Sequence, residues 1–105
     1  MTNPNIGQQF KGGILYHGSP HPFQPGDIVR PRNRKLGASA TPDLEMAKGY
    51  GRSRYLPIKH LVEQGYKPRV FQVEPVSTAT HGKFDGKEVN DKQGFRVIKE
   101  LPFDE

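Results

Sequence analysis

The chain of 105 residues contains no cysteine. This absence excludes disulfides as a source of stability, and it excludes a zinc site built from cysteine. Apolar residues are also scarce, at 32% of the chain, whereas glycine and proline number 12 and 10. The sequence therefore predicts one small domain with short elements, long loops and a thin core.

Long apolar runs are absent as well. The first residues are polar and do not resemble a signal peptide, and no segment has the length and apolarity of a membrane span. We therefore expect a cytoplasmic protein without a membrane partner.

The charge is positive and unevenly distributed. The net charge is +5, and residues 30–69 carry ten Lys or Arg against three Asp or Glu. Such a segment can be a solvated surface, or it can face the phosphates of a dinucleotide or a nucleic acid.

The local patterns predict a mixed fold. Residues 1–12 are expected to form a flexible arm, and residues 13–105 a single domain. Thr41 is predicted to cap a helix that begins near Pro42 and ends about residues 49–51, and a second short helix is possible over 57–65. Long loops are predicted over 18–35 and 76–93, and strands over 13–17, 36–40, 69–75 and 94–101. This order indicates an α+β domain with a split antiparallel sheet and one or two short helices.

Three segments occur along the chain in the order that is typical of one protein family. They are Tyr16-His17-Gly18-Ser19 followed by Gln24-Pro25-Gly26-Asp27, then Ser39-Ala40-Thr41-Pro42-Asp43 with its helix to Tyr50, then Val73-Glu74-Pro75 followed by Phe95-Arg96-Val97-Ile98. In this order the chain resembles the rifampin ADP-ribosyltransferase-like family across most of residues 14–101. The resemblance implies two small sheets that hold NAD, as a co-substrate, in a cleft.

The resemblance also implies roles for particular residues. His17 would contact the ribose near the nicotinamide, and the backbone of Gly18 would hold the carboxamide. A neutral imidazole can donate and accept a hydrogen bond, and glycine lets a flat ligand approach the main chain. Ser39 would offer a hydroxyl to the ligand, whereas Thr41 is explained by helix capping alone.

The chain departs from the family at two places. Gly37 stands where the family has a tyrosine that stacks on the nicotinamide, and Tyr50, or else Tyr16 or Tyr55, is expected to replace it. The family's catalytic acid matches a position near Gly82, which carries no acid. Because bond cleavage develops positive charge on the ribose, a nearby carboxylate is needed. The same loop offers Asp85, our first choice, then Glu88, and also Asp91.

Basic and histidine residues complete the candidates. Arg30, Arg32 and Arg34, followed by Lys35, can clamp the NAD pyrophosphate, or they can contact a nucleic acid or a protein. The other histidines have no metal-ligand spacing, so no metal site is expected and they are interpreted as surface residues: His21, His60 and His81.

The leading hypothesis is an NAD-dependent mono-ADP-ribosyltransferase that releases nicotinamide. Its acceptor is open, and could be a rifamycin-like drug, a protein side chain, a nucleobase or water. The alternative is a catalytically degenerate NAD-binding or structural module, for instance one encoded by a phage or mobile element. A nucleic-acid-binding domain ranks last, because the basic segment lacks interleaved aromatic residues and a recognised reading motif.

Overall fold

A computed structural model describes residues 8–31, 37–57, 64–82 and 87–103. Within these segments there are seven strands and one helix, numbered here in chain order: β1 (Leu15–Ser19), β2 (Ile28–Val29), β3 (Ala38–Ala40), α1 (Leu44–Tyr55), β4 (Arg69–Pro75), β5 (Thr80–His81), β6 (Val89–Asp91) and β7 (Phe95–Leu101). No helix within them is long and apolar enough to span a membrane. The possible second helix lies mostly outside the described residues.

The strands form two antiparallel sheets. The larger sheet has the order β1-β4-β7-β2, and the smaller one has the order β3-β6-β5. The two sheets meet where the Tyr16 and Thr41 backbones exchange hydrogen bonds of 2.7 and 2.9 Å. The predicted α+β class, with antiparallel strands divided between two sheets, is confirmed.

One face of the larger sheet supplies the core. Leu15 pairs with Val73, and His17 pairs with Phe71, so these four side chains lie on the same face. Leu15, Phe71 and Val73 belong to the main apolar cluster, which also receives residues from the smaller sheet. His17, with Ser19 two residues later, forms the polar part of this core-facing row, and this position determines where the candidate site lies.

The opposite face of the larger sheet is covered by α1. Gly18 of β1 lies so close to the helix that a Cβ there would overlap the Ala47 carbonyl oxygen and lie 2.6 Å from the Gly51 nitrogen. Val70 pairs with Gly18 and is fully buried, although it lies outside the main cluster. Because directly paired residues share a face, Val70 lies on the helix side of the sheet.

The helix differs from the prediction at both ends. Asp43, not Thr41, is the N-cap, and its side chain accepts from the Met46 amide at 3.1 Å. Thr41 is held in the bridge between the sheets, and its hydroxyl accepts from the Asp43 amide at 3.1 Å. The helix continues to Tyr55 instead of ending near residues 49–51, and Gly51 within it lies close to the Arg69 backbone.

The predicted loops also contain regular structure. The loop over 18–35 contains β2, and the loop over 76–93 contains β5 and β6. β1 also continues through Gly18 to Ser19, past its predicted end at residue 17. Strands of two or three residues are too short to show an alternating pattern, so their pairing depends on distant partners.

The described end of the predicted N-terminal arm is attached to the domain. The Phe10 amide donates to the Ala79 carbonyl at 2.8 Å, and the Phe10 ring packs against the core. Gln9 also forms a bridge with Thr80 of β5. Residues 1–7 lie outside the described part of the chain.

Candidate functional site

A cleft opens where β1 ends. Its volume is about 450 Å³, which falls in the range of small-molecule sites. Three of the residues predicted from sequence to bind a ligand line it: His17, Arg30 and Ser39. They come from three separate segments of the chain, namely β1, the residue after β2, and β3.

His17 has a defined orientation in this cleft. The side chain is only 7% exposed, and its Nδ1 lies 2.9 Å from the Ser39 carbonyl oxygen. Because a carbonyl oxygen can only accept, Nδ1 carries the hydrogen. In the neutral imidazole, Nε2 is then the accepting nitrogen. The bond to β3 thus fixes both the ring orientation and the tautomer.

Gly37 occupies a backbone position that does not accept a side chain. Gly37 has a φ of +80°, and an added Cβ would lie 2.6 Å from the Asp91 carbonyl oxygen. A side chain here would therefore combine backbone strain with a clash against β6. Gly37 lines the cleft and contributes no side chain to it.

Phe23 and His21 provide an aromatic wall that sequence reasoning missed. Both line the cleft. Their ring centroids are 4.5 Å apart, and the Phe23 ring packs edge-on against Phe71 at 5.5 Å and lies 6.3 Å from His17. The available signal was an aromatic residue within a proline-rich loop, where a solvent-exposed turn does not require one.

Arg54 is another residue of the cleft that was missed. It lies near the end of α1, and its Nη1 donates to the Gly18 carbonyl at 2.8 Å. Ala47, Gly51 and Arg54 share one helical face at intervals of four and three residues. That spacing was the available signal, but the predicted helix ended before Arg54.

The predicted arginine cluster is only partly described. Arg30 is exposed and lines the cleft. Arg32 and Arg34 lie outside the described residues. Arg30 and Arg54 together place two cationic side chains on the cleft, which favours an anionic ligand group.

Gly18 has a packing role that does not require a ligand. Its missing side chain allows α1 to approach β1, and its carbonyl accepts from Arg54. Gly18 is not among the described residues that line the cleft, so its contact with a carboxamide stays a prediction.

Tyr50 and Glu88 are also outside the set of described lining residues. The Tyr50 hydroxyl is shielded from solvent and has no hydrogen-bond partner among the described residues, and the Arg54 guanidinium carbon lies 5.3 Å from the ring centroid. Burial and the negative charge of Glu88 raise the pKa of Tyr50 above its usual value, and Arg54 partly opposes them. Glu88 therefore acts electrostatically on Tyr50, while its Oε1 accepts from the Asn90 side-chain amide, Nδ2, at 3.4 Å.

The two remaining acidic residues predicted for the loop are Asp85 and Asp91. Asp85 lies outside the described residues. Asp91 is completely buried and accepts from the Ser77 amide at 2.7 Å, the Ser77 hydroxyl at 2.6 Å and the Gln93 amide at 2.7 Å. These three bonds give Asp91 a structural role in holding the turns around β6.

The other histidines occupy separate environments. His21 is exposed and lines the cleft, whereas the His81 ring lies 5.8 Å from Phe10. His60 lies outside the described residues. In the described part of the chain, no group of three or more His, Cys, Asp or Glu could hold a metal ion.

Comparisons with protein-family models, with curated proteins and with solved structures gave no match.

Proposed function

We propose that the protein is an NAD-dependent mono-ADP-ribosyltransferase that transfers ADP-ribose to an acceptor and releases nicotinamide. One observation carries the proposal. Three residues selected for ligand binding from sequence, His17, Arg30 and Ser39, line a single cleft although they are distant in the chain. Such a convergence of polar groups on one cleft is typical of a ligand-binding site.

The chemistry of the cleft suits the nicotinamide-ribose part of NAD. His17 Nε2 can accept from a ribose hydroxyl, because Nδ1 is committed to the Ser39 carbonyl. Phe23 offers an aromatic edge or face to the nicotinamide ring. Arg30 and Arg54 supply the positive charge that a pyrophosphate requires. The volume of about 450 Å³ accommodates a ligand portion of this size.

The proposed reaction breaks the bond between the nicotinamide nitrogen and ribose C1′. Nicotinamide leaves with the electron pair of that bond, the acceptor oxygen or nitrogen forms a new bond to C1′, and the acceptor releases a proton. A carboxylate beside the ribose stabilises the positive charge that develops. We assign this role to Asp85 first and to Glu88 second.

A degenerate NAD-binding module is the second candidate, and a specific observation favours it. Among the described residues that line the cleft, none is acidic. Gly37 in addition excludes the family's stacking tyrosine from its usual position. Such a module would bind NAD but would not cleave it.

Two measurements separate these candidates. The protein is incubated with NAD and released nicotinamide is detected by mass spectrometry, and NAD binding is measured by calorimetry. Binding with nicotinamide release that requires folded protein supports the transferase. Binding without release supports the degenerate module. The absence of both contradicts the proposed function in either form.

A further inference from the structure

A second cleft adjoins the first. It has a volume of about 480 Å³, and it shares Ser19, His21 and Arg54 with the first cleft. Its remaining described walls come from Pro20, Ser53, Pro57 and Tyr66. The two clefts therefore share part of their walls.

Aromatic rings and prolines form much of the second cleft. The Tyr66 and His21 ring centroids are 6.2 Å apart with a tilt of 58°. Pro20 and Pro57 add rigid apolar surface. Rings with this separation and tilt present both faces and edges, which is the surface that a planar aromatic ligand packs against.

The polar groups of this cleft favour a negative charge. Arg54 contributes a guanidinium, which also donates to the Gly18 carbonyl at 2.8 Å. The Ser19 hydroxyl accepts from the His21 amide at 3.2 Å, so its own hydrogen can be donated to a ligand. A guanidinium and a hydroxyl donor together match a carboxylate or phosphate oxygen.

We propose that the second cleft binds a planar aromatic anion, a ring that carries a carboxylate or phosphate group. Resting on the proposed function, we further assign this ligand as the ADP-ribose acceptor, because the shared wall brings it beside the His17 cleft. A hydroxyl of the ligand would form the new bond to ribose C1′, nicotinamide would leave with the electron pair of the broken bond, and the hydroxyl proton would pass to solvent.

The binding test uses 4-hydroxybenzoate in the absence of NAD, with affinity measured from ligand NMR signals. Tyr66 is the residue to change, because it lines the second cleft and not the first. We expect Tyr66→Leu to weaken binding by about fivefold or more, whereas Tyr66→Phe keeps the ring and stays within about twofold. Phenol lacks the anion and cyclohexanecarboxylate lacks the aromatic ring, so both should bind at least about fivefold more weakly.

The site is overturned if 4-hydroxybenzoate does not bind, if Tyr66→Leu binds it like the wild type while remaining folded, or if both comparison compounds bind equally well. The acceptor role is tested separately, by adding NAD and measuring the mass of 4-hydroxybenzoate plus one ADP-ribose unit. The acceptor role is supported if this product forms with the wild type and is lost in Tyr66→Leu, while Tyr66→Leu still releases nicotinamide by transferring ADP-ribose to water. Tyr66-dependent binding without any NAD binding contradicts the proposed function and the acceptor role, but supports the aromatic-anion site.

Discussion

The close contact between β1 and α1 predicts that Gly18→Ala strongly lowers the stability of the fold. An added Cβ would overlap the Ala47 carbonyl oxygen and lie 2.6 Å from the Gly51 nitrogen. Both obstacles are helix backbone atoms, so no side-chain rotation can relieve them and the helix must move from the sheet. Overpacking typically costs 1–3 kcal/mol, and a rigid obstacle places this case at about 3 kcal/mol or more. That is a large fraction of the roughly 5–15 kcal/mol that stabilises a typical domain.

The same helix provides matched controls. An alanine Cβ at Gly49 would meet no atom within 4 Å, so the better helix propensity should stabilise the fold by about 0.5–1 kcal/mol. At Gly51 the Cβ would lie 2.6 Å from the Arg69 carbonyl oxygen, and Gly51→Ala should destabilise despite the same propensity gain.

The assay is urea denaturation at 25 °C, followed by far-ultraviolet circular dichroism. Free energies of unfolding come from linear extrapolation with comparable m-values. A Gly18→Ala variant within about 1 kcal/mol of the wild type would refute the packing argument, because overpacking against backbone cannot be that mild. A Gly49→Ala variant less stable than Gly18→Ala would refute it as well.

Three further predictions concern other buried and charged groups. Asp91→Ala should lower the free energy of unfolding by about 3 kcal/mol or more in urea titrations, because the Ser77 and Gln93 amides lose their buried acceptor. As a control, Asp27→Ala removes only an exposed hydrogen bond from the Gln24 amide and should cost about 1 kcal/mol or less. Because the pKa of Tyr50 is raised in the folded protein, the folding stability that this shift contributes is complete below the usual pKa of about 10 and is lost as the pH rises beyond it. Tyr50→Phe should therefore lose less stability than the wild type above about pH 10. An identical pH dependence of the two proteins would contradict this. Arg30→Gln should weaken calorimetric NAD binding by about threefold to tenfold, while Arg96→Gln, on the exposed face of β7, should leave it unchanged; equal effects would assign Arg30 to general surface charge.

The longer elements were predictable because their patterns are local. β4 has the bounds predicted for it, and β7 begins one residue later than predicted. β2, β5 and β6 were missed because strands of two or three residues are specified by partners far along the chain. Thr41 and Asp43 can both cap a helix, and the choice between them depended on the bridge from Thr41 to the other sheet.

The candidate site was predictable to a similar extent. His17 and Ser39 were identified through a family resemblance and Arg30 through its basic cluster, and all three line one cleft. Phe23 and Arg54 were missed because their positions depend on tertiary packing. Arg54 reaches the cleft only because α1 continues past Gly51, which in turn depends on the close approach of α1 to the larger sheet.

The central claim is that His17 contacts the ligand through Nε2 while Nδ1 holds the ring to the Ser39 carbonyl. His17→Asn separates the two functions, because the asparagine amide nitrogen is attached like Nδ1 and can still donate to this carbonyl. His17→Ala removes both interactions and should also lower stability by about 1 kcal/mol.

The most direct measurement is calorimetric NAD affinity of the wild type, His17→Asn and His17→Ala, with thermal unfolding of each protein. We predict that both variants bind NAD about threefold to tenfold more weakly, or worse, since each lacks the Nε2 acceptor. We predict that His17→Asn nevertheless keeps most of the wild-type melting temperature. Wild-type NAD affinity in a folded His17→Asn protein would contradict the account, and would leave His17 with a structural role only.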